Sequence, residues 1–157
     1  KTTPGLRIFE KYAFKCGGGV NHRMGLYDAA MIKENHIAWT DNLKNAVQNI
    51  RLNSPFTTHI IIEAENIEQA KEAVLAGADS VLLDELSPEI IKKNVQELRD
   101  LSMNSLKKEV NKNLIIEVSG INPEEISKYL IKGIDLISTS SSITKSNWID
   151  LSMRYIN

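Results

Sequence analysis

Hydrophobic residues are distributed along the chain in two alternating patterns, short continuous apolar runs and longer stretches with helical spacing. The apolar runs span residues 59–65, 80–84, 113–119 and 134–138. Continuous apolar runs of this length are typical of strands in a parallel sheet that is covered on both faces. We therefore predict four such strands, and each ends in an acidic or hydroxyl side chain.

The stretches between these runs predict helices. We expect helices over residues 6–14, 67–76, 124–131 and 147–155, and a long one from Pro88 to about Leu106. Asp41 is the expected N-cap of a further helix that passes through Leu43 and Ile50 and ends before Pro55. Residues 31–37 are expected to form an additional short strand.

This alternation of strand and helix predicts an α/β fold, an open or incomplete (β/α) barrel with parallel strands, similar to a TIM barrel. A complete barrel takes about 250 residues, whereas this chain has 157. Right-handed crossovers would bring the carboxyl ends of all the strands to one rim, where barrels bind their ligands.

Composition narrows the classes of partner. Nineteen basic and twenty acidic residues leave a net charge of −1, so we expect no nucleic-acid or membrane partner. The single cysteine, Cys16, excludes an internal disulfide framework, and packing is favoured over a nucleophilic role for it. No signal peptide or long apolar span is present, so we expect a cytoplasmic protein.

The segment 17–36 is rich in glycine and in cationic side chains. Three glycines at 17–19 are followed by His22, Arg23 and Lys33. A flexible loop beside several cationic groups suits a small molecule with more than one negative charge. A glycine turn followed by solvated charges is the alternative interpretation.

The predicted strand ends offer two kinds of chemistry. Glu63 and Asp84 end apolar strands, where an ionised carboxylate needs a partner such as Lys33, Arg23, Lys1 or a magnesium ion. Two carboxylates at this place can stabilise a sugar whose anomeric carbon becomes positively charged during a reaction. The alternative interpretation is that the pair has only a structural role in salt bridges. Ser119, Gly120 and residues 138–142, with Lys145, suit a phosphate cradle, and the alternative is that the serines cap helices.

Several motifs then resemble one known family. They are Lys-Thr-Thr-Pro-Gly-Leu-Arg from residue 1, Gly-Gly-Gly-x-Asn-His-Arg-x-Gly-Leu, Ile-Lys-Glu-Asn-His, Leu-Leu-Asp, Glu-Val-Ser-Gly and the ending Ile-Ser…Thr-Lys-Ser. Together they resemble quinolinate phosphoribosyltransferase (nicotinate-nucleotide pyrophosphorylase, carboxylating). The resemblance implies that residues 1–157 are the C-terminal catalytic barrel domain of a longer enzyme, whose N-terminal α/β domain this chain lacks.

The resemblance also implies the activity. Quinolinate and phosphoribosyl pyrophosphate would give nicotinate mononucleotide, pyrophosphate and CO₂, with Mg²⁺, in de novo NAD biosynthesis, and the full-length enzyme would be a homodimer or a higher homo-oligomer. Two alternatives are a non-catalytic anion- or phosphosugar-binding barrel fragment and a paralogous phosphoribosyltransferase-like protein of molybdenum metabolism. The Asn-His-Arg and Lys-Glu-Asn-His motifs favour quinolinate.

The resemblance assigns roles to individual residues. Lys1, Glu63 and Asp84 would be catalytic, with Glu63 and Asp84 facing the ribose hydroxyls and the metal. The substrate-binding set would be Lys1, His22, Arg23, Lys33, Glu63 and Asp84, and the phosphate-binding set Ser119, Gly120, Ser138, Thr139, Ser140 and Lys145. The chain departs from the family pattern at Ile121, where a second glycine is usual, and at Lys145, where histidine is common.

Overall fold

The computed structural model of the protein describes residues 1–40, 42–105, 113–147 and 149–156. Its described strands are β1 (Ala30–Ile32), β2 (Ile60–Ala64), β3 (Ser80–Asp84), β4 (Ile115–Ser119) and β5 (Leu136–Ile137). The described α-helices are α1 (Arg7–Cys16), α2 (Glu34–Ala38), α3 (Leu43–Asn53), α4 (Ile67–Ala76), α5 (Pro88–Ser105) and α6 (Ser141–Thr144). A 3₁₀ helix spans Pro123–Tyr129.

The five strands form one parallel sheet in the order β1-β2-β3-β4-β5, so that neighbours in the chain are neighbours in the sheet. The sheet does not close on itself within the described residues. The predicted α/β fold with an open, parallel arrangement is therefore confirmed, with β1 as a fifth strand. All strands point the same way, so their carboxyl ends meet at one edge, which we call the carboxyl edge.

The two faces of the sheet differ in chemistry because successive strand residues point to opposite sides. One face packs against the helices and forms the main core, which includes Ile60, Ile62, Val81, Leu83, Ile116 and Val118. The other, which we call the inner face, has a small apolar cluster of Ala29, Ile61 and Leu82, with Met31 against it. Glu63, Asp84, Glu117 and Ser119 alternate with the core residues and thus belong to the inner face.

The opposite edge of the sheet is held by two arginine–aspartate pairs. Arg51 lies 2.6 Å from Asp79, which also accepts the backbone N–H of Ile60 at 2.8 Å. Arg99 pairs with Asp135 and donates to the carbonyls of Leu114 and Gly133. These contacts join α3 and α5 to the amino-terminal ends of the strands and leave the carboxyl edge for other groups.

The predicted strand over 31–37 is correct only at its beginning. The chain leaves the sheet after Ile32 and begins α2 at Glu34. The side chain of His36 accepts the backbone N–H of Lys33 at 3.0 Å, which is a helix-starting contact. Asp41 lies outside the described residues, and α3 is capped by the side chain of Asn42, which accepts from the backbone of Asn45 at 3.1 Å.

The predicted secondary structure differs most from the observed one in the C-terminal part of the chain. The predicted helix over 147–155 is wrong, because residues 147 and 149–155 are not helical and residue 148 lies outside the described part. The apolar side chains of Ile149, Leu151 and Met153 are exposed, so no packing surface supports an amphipathic helix there. The hydroxyl-rich segment forms the short α6 instead.

The other predicted helices are close to those observed. Helix α4 matches residues 67–76 and ends at Gly77, whose φ of 89° is the left-handed conformation that glycine adopts readily. The segment predicted as a helix over 124–131 is the 3₁₀ helix Pro123–Tyr129. Leu106, the expected end of α5, lies outside the described residues, and none of the described helices could cross a membrane.

Candidate active site

The carboxyl edge of the sheet opens into a cleft of about 470 Å³. Strands β2, β3 and β4, the residues that follow β1, β3, β4 and β5, and α6 supply most of its walls. Apart from Arg23, every site residue predicted from the sequence lines this cleft: Lys1, His22, Lys33, Glu63, Asp84, Ser119, Gly120, Ser138, Thr139, Ser140 and Lys145. The fold therefore gathers residues that are up to 144 positions apart in the chain, since both Lys1 and Lys145 line it.

Lys33 and Glu63 form an ion pair at the β1–β2 end of the cleft. The register aligns Ile32 with Ile62, so Lys33 and Glu63, which follow them, lie side by side. Lys33 Nζ is 2.6 Å from Glu63 Oε2, and the side chain of Glu63 is only 10% exposed. Of the cationic side chains that the sequence allows as partners, Lys33 contacts this carboxylate.

Asp84 and Ser119 end adjacent strands and are hydrogen bonded. Ser119 Oγ donates to Asp84 Oδ1 at 2.6 Å, in agreement with the register of β3 and β4. The next residue of each strand has a positive φ, 54° at Glu85 and 77° at Gly120. A Cβ at Gly120 would lie 2.7 Å from the Glu85 side chain, so a larger residue would displace the wall around Asp84.

Glu117 is a cleft residue that the sequence reasoning missed. It lies in the middle of β4, is 3% exposed, and pairs in register with Leu82 on one side and Leu136 on the other. Ser138 Oγ donates to Glu117 Oε1, and His22 Nε2 is 3.6 Å from Glu117 Oε2. A carboxylate within a continuous apolar run was the available signal, because such a group requires polar partners when it is buried.

His22 and Arg23 are neighbours in the chain but face different surroundings. The backbone N–H of Arg23 donates to His22 Nδ1 at 2.8 Å, which assigns the ring proton to Nε2, the atom directed at Glu117. Arg23 Nη1 donates to the carbonyl of Ala29 at 2.8 Å, and Nη2 lies 3.7 Å from Met31 Sδ. Arg23 therefore lies against the beginning of β1, beside the cleft-lining set.

The hydroxyl groups after β5 have contacts within the protein. Thr139 Oγ1 donates to the carbonyl of Ile121 at 3.3 Å and accepts the backbone N–H of Ser141 at 3.1 Å. The carbonyl of Ser140 accepts from the backbone and the hydroxyl of Thr144 and so begins α6. Ser140, the N-cap of α6, makes no side-chain cap hydrogen bond, and Thr139 is the residue of this turn whose side chain accepts a backbone N–H. Phosphate binding by Ser138, Thr139, Ser140 and Lys145 stays a prediction.

The glycines at 17–19 lie in a separate groove of about 660 Å³ beside α6. Gly17 ends α1, and Gly18 has a φ of 88°. A Cβ at Gly19 would lie 2.3 Å from the ring of Phe14, so only glycine fits there without displacing the ring. In this structure the glycines turn and pack the chain, and they are not among the residues that line the cleft.

The described part of the chain contains no group of three or more histidine, cysteine or acidic residues arranged to hold a metal ion. Glu63 and Asp84 each use one carboxylate oxygen in a described contact, with Lys33 and with Ser119. Such a donor set fits a magnesium ion that receives most of its ligands from water and substrate phosphates, as Mg²⁺ commonly does.

Known proteins of one family match nearly the whole chain. The family model described as quinolinate phosphoribosyl transferase, C-terminal domain, matches residues 1–154. A probable nicotinate-nucleotide pyrophosphorylase (carboxylating) from Methanothermobacter thermautotrophicus is 42% identical over 154 residues, which is 98% of this chain and 53% of that protein. A probable enzyme of the same name from Synechocystis sp. is 38% identical over 157 residues, 99% of this chain and 50% of that protein.

Solved structures lead to the same family. The crystal structure of NadC from Streptococcus pyogenes superposes with a TM-score of 0.81 at 37% identity, over 98% of this chain and 50% of that one. The nicotinate-nucleotide pyrophosphorylase from Francisella tularensis gives a TM-score of 0.77 at 35% identity. The chain spans about half the length of these relatives. Fold, motifs and matches agree, and the chain belongs to the quinolinate phosphoribosyltransferase C-terminal domain family.

Proposed function

We propose that this chain is the catalytic barrel of an enzyme that transfers a phosphoribosyl group from phosphoribosyl pyrophosphate to quinolinate with loss of CO₂. The products would be nicotinate mononucleotide and pyrophosphate, in the biosynthesis of NAD. The observation that carries the proposal is the cleft itself, where the Lys33–Glu63 pair and the Asp84–Ser119 pair lie at one edge with Lys1 and His22. The names of the matched relatives support the same reaction.

The acidic residues suit the sugar half of the reaction. When pyrophosphate leaves, the anomeric carbon of the ribose becomes positive, and carboxylates fixed nearby stabilise this charge in a site of low dielectric constant. Glu63 and Asp84 are held by Lys33 and Ser119 before substrate arrives. They need little reorganisation as the transition state forms, and their second oxygens can accept hydrogen bonds from the ribose hydroxyls.

The basic residues suit the dicarboxylate half of the reaction. Quinolinate carries two carboxylates, and His22 and Lys1 reach the cleft while Arg23 lies beside it. Guanidinium and ammonium groups form strong charge-assisted hydrogen bonds with carboxylates. Cations around the pyridine ring would also favour loss of CO₂, because they stabilise the negative charge left on the ring carbon.

The proposal includes magnesium, a homodimer and a cytoplasmic location. A magnesium ion bound with the pyrophosphate would neutralise charge on that leaving group, and Glu63 and Asp84 are the residues whose oxygens could help to hold it. The support for a homodimer is the exposed apolar surface of α1, where Ile8, Phe9 and Tyr12 are each at least 70% exposed.

Binding and turnover measured together test the proposal. Quinolinate would be titrated calorimetrically into the protein that carries this chain, with and without phosphoribosyl pyrophosphate and Mg²⁺, and pyrophosphate release would then be assayed. We expect binding and turnover. Glu63→Gln should lower kcat by roughly 100-fold, whereas the exposed Glu65→Gln, two residues away, should leave kcat unchanged. Binding without any turnover would favour a non-catalytic anion-binding module, and failure of both substrates to bind would refute the proposal.

A further inference from the structure

Lys11, in the middle of α1, makes contacts that neither the motifs nor the proposed reaction explains. It is partly buried, unlike the neighbouring lysine of the same helix, Lys15, which is exposed. Lys11 Nζ donates to the carbonyl of His22 at 2.9 Å and to the carbonyl of Arg23 at 3.1 Å. One ammonium group thus binds two consecutive carbonyls of the Asn-His-Arg motif.

A contact in the opposite direction completes this connection. Asn21 Nδ2 donates to the backbone carbonyl of Lys11 at 3.0 Å. Three hydrogen bonds therefore connect one residue of α1 to the three successive residues Asn21, His22 and Arg23. We call this set of contacts the Lys11 tether.

The tether acts on a segment that lacks regular secondary structure. Residues 20–29 form neither helix nor strand, so no ladder of backbone bonds fixes the orientation of His22 and Arg23. Ordering such a segment costs conformational entropy at every residue. The tether orders this segment before substrate arrives, so the side chains of His22 and Arg23 are already in position when the ligand enters.

The surroundings of Lys11 show that the ammonium group has been moved partly out of water. Burial lowers its pKa from the usual lysine value, and the nearby Arg7 acts in the same direction, while Asp28 opposes both. A surface lysine without a structural task would stay hydrated. The geometry and the desolvation agree that the contacts of Lys11 are a fixed part of this region.

We propose that Lys11 is a positioning residue for the dicarboxylate substrate, acting through the backbone of His22 and Arg23 and not by touching the substrate. This inference rests on the proposed function, which assigns quinolinate to that part of the site. It assigns Lys11 to one substrate only. Glu63 is held by Lys33, and Asp84 and Ser119 hold each other, so these groups do not depend on the tether.

The test is steady-state kinetics of the full protein with Lys11→Met, which keeps the apolar stem and removes the ammonium group. We expect the KM for quinolinate to rise roughly ten- to hundredfold, the size of effect that a small misplacement of binding groups produces. The KM for phosphoribosyl pyrophosphate should change less than about twofold, and Lys11→Arg should recover part of the loss because it retains donors at that position. The matched control is Lys15→Met, which removes an exposed lysine one turn further along α1 and should leave both KM values unchanged.

A second variant covers the case in which Lys11→Met fails to fold. Asn21→Ala removes only the reverse hydrogen bond, and it should also raise the KM for quinolinate selectively, by a smaller factor. An equal rise in both KM values, or no change in either variant, would overturn the role of Lys11. Absence of turnover in the unaltered protein would instead count against the proposed reaction, so the two failures can be distinguished.

Discussion

At the scale of single residues, the inner face of the sheet carries buried carboxylates that are each stabilised in a different way. Glu63 has the ammonium group of Lys33, whereas Glu117 has the hydroxyl of Ser138 and the imidazole of His22. A buried carboxylate is costly without such partners. Removing the charge of one of these acids should therefore disturb its particular partners and not the sheet as a whole.

Glu117→Gln tests this at the acid that lies deepest in the cleft. The amide that replaces the carboxylate has one oxygen and one NH₂ group, while Ser138 and His22 Nε2 both offer protons. The Ser138 hydroxyl can turn to accept from the NH₂ group, but the hydrogen bonds to a charged carboxylate are then replaced by weaker bonds to a neutral amide. We expect the free energy of unfolding to fall by about 1–3 kcal/mol, measured by denaturant titration.

The control for this substitution is Glu72→Gln, at an exposed position of α4. It makes the same chemical change and should alter stability by less than about 0.5 kcal/mol. Equal effects of the two substitutions would show that the contacts of Glu117 contribute nothing specific.

How far sequence predicts the site depends on where a residue lies in its strand. Glu63 and Asp84 could be identified because they end apolar strands, and parallel strands bring their ends together. Glu117 lies inside its run, where the charge has no such positional signal. The choice of Lys33 as the partner of Glu63 depends on the register of β1 and β2, which is a tertiary property.

At the scale of elements, turns govern the shape of the carboxyl edge. Gly120 follows β4 with a φ of 77°, and a Cβ there would meet Glu85 and approach Asp84 Oδ1 at 3.4 Å. Gly77 ends α4 with a similar φ of 89°, but a Cβ there would meet no atom within 4 Å. The two glycines thus share a backbone conformation and differ in the space around them.

Alanine at these two positions separates backbone strain from steric overlap. Gly77→Ala should cost about 1–2 kcal/mol of stability, the cost of a left-handed conformation for a residue with a Cβ. Gly120→Ala should cost a further 1–3 kcal/mol or so because the wall around Asp84 must move, and it alone should reduce turnover. Thermal unfolding and kcat of both variants provide the measurement, and equal losses in the two would contradict the steric explanation.

Elements with strong local signals were predicted well, and those that depend on tertiary contacts were not. Helix α4 has an asparagine cap at one end and a left-handed glycine at the other, and both are visible in the sequence. The strand predicted over 31–37 ends at Ile32, because the contact between His36 and Lys33 begins a helix. The spacing after residue 147 is helical, yet its apolar side chains find no surface to pack against in the described structure.

At the scale of the whole molecule, the sheet has a stable centre and weaker margins. Strands β2, β3 and β4 have five residues each and are paired on both sides. Strand β1 has three residues and β5 has two, and within the described residues each pairs on one side only. We expect backbone amides of the central strands to exchange with solvent more slowly than those of β1 and β5, by roughly tenfold or more. Hydrogen exchange followed by mass spectrometry or NMR measures this, and uniform protection across all five strands would contradict it.

The arginine–aspartate pairs at the amino-terminal edge, Arg51 with Asp79 and Arg99 with Asp135, have a consequence for evolution and engineering. They anchor the scaffold at one end of the strands, while the chemistry lies at the other end. A change of residue in the cleft therefore leaves these two pairs, and the contacts they make at the amino-terminal edge, in place. Substitutions at the carboxyl edge can therefore change what the cleft binds while the opposite edge continues to hold the fold.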